Sequence, residues 1–222
     1  MVRDATDLMQ WEENLADRLR DLVLIGELEL TPEEVAELGR IIASVVKRCH
    51  ERGLKAEKVL EEKYACAFVT FLVFQGRDGY EEGTYWPAVQ TVIGERFNTS
   101  EWGRIFERVV DDLGLSRSFE GLRYVSPILG HGGIPTDCLP DFFSTLLQPS
   151  ETRKEWAALE TPKLIQTWLT YANSHQIDKP IVRFLRNGGA VAEDFVDRCR
   201  QMARLAADGE CLLPDGAPGG RR

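Results

Sequence analysis

The chain has 222 residues, 43% of them hydrophobic, which is enough to bury a core by ordinary packing without metals or disulfides. Its formal net charge of −9 repels polyphosphate unless the basic residues are segregated on one face, which argues against a nucleic-acid partner. The five cysteines (Cys49, Cys66, Cys138, Cys199 and Cys211) are odd in number, scattered and without C-x-x-C spacing. With no leader pattern at the N-terminus they read as free thiols of a reducing, cytoplasmic setting, and no apolar run approaches the ~18 to 20 residues of a membrane span.

From Asp4 to about Leu28, the residues Leu8, Met9, Trp11, Leu15, Leu19, Leu22 and Val23 recur at the three- and four-residue intervals of a one-sided helix. Thr31-Pro32-Glu33-Glu34 then supplies a cap hydroxyl, a proline at the first helical position and a glutamate able to reach back to the cap. The helix it opens carries Val35, Leu38, Ile41, Ile42, Val45 and Val46 on one stripe and should end at Gly53. A third helix starts near Lys55, and from Tyr64 to Phe74 it is apolar on every side, so it must be covered all round. Its charged lead-in of good helix formers favours helix over buried strand. Gln75 to Thr84, with three glycines, reads as a loop. Tyr85-Trp86-Pro87 opens a short helix that Gly94 ends, and Asn98-Thr99-Ser100 caps another from Glu101 to Leu113, closed by Gly114.

Over about 115–138 the helical period lapses into a glycine- and proline-rich irregular segment. Beyond it Leu139–Leu147, Trp156–Leu159, Pro162–Ala172, Pro180–Arg186 and Ala190–Ala207 read as short helices, two of them opened by Thr161-Pro162 and Asp178-Lys179-Pro180. The expectation is an all-α, irregular multi-helix globular domain of about nine or ten helices around a central buried helix at about 55–75. It would occupy 1–212 as a single domain, with 1–114 and 139–212 as subdomains if it divides, and 213–222 as a flexible tail or linker start.

The stretch from Gly130 to Cys138 is the one place where a histidine, a carboxylate and a thiol lie close in sequence. Cys138 would stand near the start of the helix from Leu139, where the positive helix end favours thiolate. His131 would serve as base and Asp137 as the carboxylate, the pattern of a cysteine-dependent hydrolase or acyl transferase. The structural alternative carries more weight: the glycines form a turn, Thr136 or Asp137 caps a helix, and Cys138 is a small core residue. His-Gly-Gly shares three letters with the oxyanion loop of α/β-hydrolase esterases, but the strands and the G-x-S-x-G elbow those enzymes need are missing. His50, His131 and His175 are isolated from any ligand spacing, and no phosphate cradle follows a strand, so neither metal nor cofactor is expected.

Two further features bear on binding. Arg183, Arg186, Arg198, Arg200 and Arg204 are the densest positive group and form either an anion- or nucleic-acid-binding face or a solvated helical surface. The aromatics Tyr80, Tyr85, Trp86, Phe119, Tyr124, Phe142 and Phe143 gather at the irregular segments, most of them core, with Tyr80 and Tyr85 assigned to an interface. The function expected is a non-enzymatic helical protein-interaction or scaffold module, part of a larger protein or assembly. Its binding residues would be Tyr80, Tyr85, His131, Arg183, Arg186, Arg200 and Arg204.

Overall fold

A computed structural model describes residues 3–81, 84–94, 99–117, 126–147, 151–175 and 177–207. Among these residues there are eleven α-helices and no strand, so the all-α expectation holds with slightly more helices than the sequence suggested. The first, α1 (Arg3–Leu19), stops well short of Leu28. There the N–H groups of Val23 and Leu24 turn to the Glu27 carboxylate at 2.8 and 2.9 Å and shape a 3₁₀ turn over Ile25–Glu27. Helix α2 (Pro32–Glu51) begins on the predicted reciprocal cap: Thr31 Oγ1 accepts from Glu34 N–H at 3.2 Å, and Thr31 N–H donates to Glu34 Oε2 at 2.7 Å.

The single helix expected near 55–75 is two, α3 (Ala56–Lys63) and α4 (Ala65–Asp78), broken at Tyr64, whose φ of −143° is not helical. Tyr64 offers α4 no side-chain cap. Glu12 of α1 does so instead, accepting from Cys66 N–H at 3.0 Å and Ala67 N–H at 2.8 Å. Every residue from Cys66 to Phe74 is buried, which makes α4 the central helix the composition demanded. Its phenylalanines Phe68, Phe71 and Phe74 are each 1% exposed, and burial of each contributes roughly 2 to 3 kcal/mol as an upper bound.

Around α4 pack α1, α2, α5 (Trp86–Ile93), α6 (Thr99–Leu113) and α7 (Ser126–Gly132). Helices α5 and α6 are followed by Gly94 and Gly114, as predicted, both at positive φ. Gln75 to Asp78, expected as loop, is the last turn of α4. Helix α7 also corrects the expectation of irregular chain over 115–138. Ser126-Pro127 starts it, and Gly132 sits so close to α4 that an added Cβ would lie 3.2 Å from the Val73 carbonyl oxygen. The glycine that looked like a turn signal permits helix-on-helix contact. Phe119 and Tyr124 lie outside the described residues.

A second buried cluster takes Leu24 from the N-terminal half and otherwise lies C-terminal to the first. It is built by α8 (Leu139–Phe142), which runs into a π turn over Phe143–Leu147, a 3₁₀ segment over Glu151–Ala158, α9 (Thr161–Asn173), α10 (Lys179–Asn187) and α11 (Ala190–Ala207). Phe142, Trp168, Ile181, Phe184 and Val196 form its centre, and Trp168 Nε1 donates to Thr145 Oγ1 at 3.0 Å, tying α9 to the π turn. Tyr80 packs against both clusters. The expected tail, 213–222, lies outside the described residues.

Candidate functional site

His131, placed by α7, is 1% exposed and therefore lies out of reach of a binding partner. Its Nδ1 accepts from the Ile25 N–H at 3.5 Å, so Nε2 carries the proton and donates to the Ser116 carbonyl oxygen at 2.9 Å. The ring stands edge-on to Phe106 at 4.9 Å. Burial lowers its pKa to about 4, against the smaller upward pull of the Ser116 hydrogen bond and of Glu27. The imidazole is neutral at physiological pH and joins three backbone segments of the first core.

Cys138 belongs to the second core and is 1% exposed. Burial pushes its thiol up to about 12. The Asp178 carboxylate, which also accepts a hydrogen bond from it, and Asp137 and Asp141 push the same way. Burial first, and the three carboxylates with it, overcome the helix-end effect that favoured thiolate, and α8 is only one turn long. The structure thus gives His131 and Cys138 separate partners, Ile25, Ser116 and Phe106 for the first and Asp178 for the second, with Asp137 acting on the thiol as a repelling charge. It does bring together residues that the sequence had assigned apart. Tyr80 is half-buried, its phenol held above the usual value by burial and by Cys138, with Arg183 opposing and Asp178 adding to the rise.

Tyr85 is 2% exposed, a core residue and not part of an interface. Its ring lies 4.5 Å from that of Trp86 and against Gly76 of α4. The arginine group is also dispersed. Arg200 turns inward, Nη1 donating to Thr161 Oγ1 and Nη2 to the Ala157 carbonyl, both at 2.9 Å, so it clamps α11 to the start of α9. Arg186 donates to Asn173 Oδ1 at 3.2 Å, Arg198 pairs with Asp194, the charge of Arg183 acts on the Tyr80 phenol, and Arg204 is exposed. With Glu193, Asp194 and Asp197 interleaved on α11, no uniformly positive face results.

The surface feature that the sequence did not reveal is an open cleft of about 450 Å³ between α1, α2 and α3. Its floor is Val45, Cys49 and Tyr64, all buried, and its walls include Met9 and Leu54, which are 52% and 50% exposed. Arg48, Arg52 and Lys63 also line it, and among the described residues no Asp or Glu does. Burial raises the Cys49 thiol, while the positive charges of Arg48 and Arg52 both pull it back. Met9 was the one available clue: it fits the helical stripe of α1 but sits at its edge beside Leu8.

Among the described residues no helix is long and apolar enough to cross a membrane, and no three His, Cys, Asp or Glu side chains converge as a metal-ligand group. Compared with known protein families, with characterised proteins and with solved structures, the chain matches none.

Proposed function

We propose that the chain is a non-catalytic helical module that docks a segment of a partner protein in the α1–α2–α3 cleft. The observation that carries this reading is the pair Met9 and Leu54, each half-exposed above a buried apolar floor in one concavity. Single exposed apolar residues are ordinary; two that wall the same groove match the way an amphipathic helix is received. The neutral, internally bonded His131 and the protonated Cys138 support the non-catalytic half of the proposal. Free thiols at Cys49, Cys66, Cys138 and Cys199 support a reducing, cytoplasmic setting. Co-purification from cells that express the protein tests it: partners held by the wild type should be lost from Met9→Glu and Leu54→Glu. Retention of every partner by both variants would refute the cleft as the docking site.

A cysteine-dependent activity is the second reading, favoured by the hydrogen bond of Asp178 with the Cys138 thiol and the mutual influence of that thiol and the Tyr80 phenol. Alkylation of the native protein at graded pH separates the two. The docking module requires Cys138 to react no faster than Cys49 near neutral pH, and a far faster Cys138 favours catalysis.

A further inference from the structure

We infer that the segment received by the cleft is acidic: an amphipathic helix of a partner protein that seats apolar side chains on Val45, Cys49 and Tyr64 and sets Asp or Glu against Arg48, Arg52 and Lys63. This rests on the docking reading above and adds the chemistry of the partner. The chain carries a net charge of −9, yet three cations and, among the described residues, no carboxylate line this groove. Several exposed cations elsewhere are matched within the fold: Arg20 with Asp17, Lys58 with Glu62, Arg104 with Glu61, and Arg198 with Asp194. Arg52 and Lys63 form no ion pair among the described residues.

Arg48 is oriented by its Nε, which donates to the Ser44 carbonyl at 3.2 Å. Cations at the ends of α2 and α3 also complement the helix dipoles, a surface effect of about 0.3 to 1 kcal/mol each. That effect accounts for a basic residue at each helix end, but not for three of them meeting over one apolar floor. A charged rim around an apolar floor instead selects a ligand of opposite sign with an apolar face. Met9 and Leu54 stand half exposed on its walls, which suits one side of a helix more than a small molecule that must be nearly enclosed.

The test is selection of a displayed library of helical peptides on the full chain, counting only winners that lose binding to Met9→Glu and Leu54→Glu. The expected winners are net negative with apolar residues at i, i+3 or i+4, and i+7. Their affinity should fall by about tenfold or more in the Arg52→Gln/Lys63→Gln double variant and weaken with added salt. Both substituted residues are exposed, and circular dichroism identical to wild type certifies the fold. Cleft-dependent winners that are neutral or basic, or that bind the double variant equally well, would overturn the acidic partner while leaving the docking module intact. No cleft-dependent winner at all would remove both. Phosphatidylserine vesicles or oleate occupying the cleft in place of every peptide would make the occupant a lipid and likewise overturn the inference.

Discussion

Glu12 caps a helix that starts more than fifty residues later: one carboxylate oxygen accepts the Cys66 N–H at 3.0 Å, and the other accepts Ala67 N–H at 2.8 Å. The start of α4 is buried, so water cannot satisfy these donors, and a charged acceptor there also meets the positive end of the helix. Glu12→Ala should therefore cost about 2 to 3 kcal/mol, and Glu12→Gln, which keeps one acceptor, about half as much. Urea unfolding checks this; wild-type midpoints in both variants would show that the cap contributes nothing.

His131 makes stability depend on pH. Its folded pKa of about 4 lies below the ordinary 6.5, so the unfolded chain binds more protons between those values and stability falls as pH drops through that window. Between pH 7 and pH 4.5 the loss from this group should be about 2 kcal/mol, on top of what the carboxylates contribute. The difference between wild type and His131→Gln isolates it: the variant starts less stable at pH 7 and loses less on acidification. Parallel pH profiles would contradict the buried neutral imidazole.

Thr70, in the middle of α4, is 0% exposed, and its hydroxyl has no hydrogen-bond partner among the described residues. Burying an unsatisfied hydroxyl is unfavourable, and Val replaces it with a methyl of nearly the same shape. Thr70→Val should raise stability by about 1 kcal/mol, measured by urea or thermal unfolding. A loss of similar size would mean that the hydroxyl is satisfied in solution.

Gly39 marks where α2 crosses α4 and α5. A Cβ there would lie 2.7 Å from Phe71 Cε2 and 2.8 Å from Val92 Cγ1. In an open helix Gly→Ala gains up to about 1 kcal/mol in helix propensity. Here the ring it strikes is locked in the core, and overpacking should win, for a net loss of about 1 to 3 kcal/mol. A stabilised Gly39→Ala would show that the crossing has slack.

Local signals were legible in the sequence because their causes are local. The Thr31–Glu34 cap, the ends at Gly94 and Gly114, the all-round burial of α4 and the span of α11 all follow from residues within one or two turns. The break at Tyr64 was not legible, since neither glycine nor proline marks it and the acceptor that sustains it comes from Glu12. Helix α7 was missed although Ser126-Pro127 repeats the pattern recognised at Thr161-Pro162; Gly130, Gly132 and Gly133 outweighed it, and the reason for Gly132 is the approach to Val73. The same limit applies to function. Adjacency in sequence suggested His131 with Cys138, while the cleft draws its residues from three helices and the turns after two of them and has no motif.

The most direct test of the docking cleft is photocrosslinking inside expressing cells, with a benzophenone amino acid in place of Leu54 and, as control, of Phe143 on the second core's exposed surface. The docking module predicts a discrete adduct from position 54 that disappears when Met9→Glu is added, and none of the same mass from position 143. No adduct at position 54, or one that persists unchanged with Met9→Glu, would contradict it.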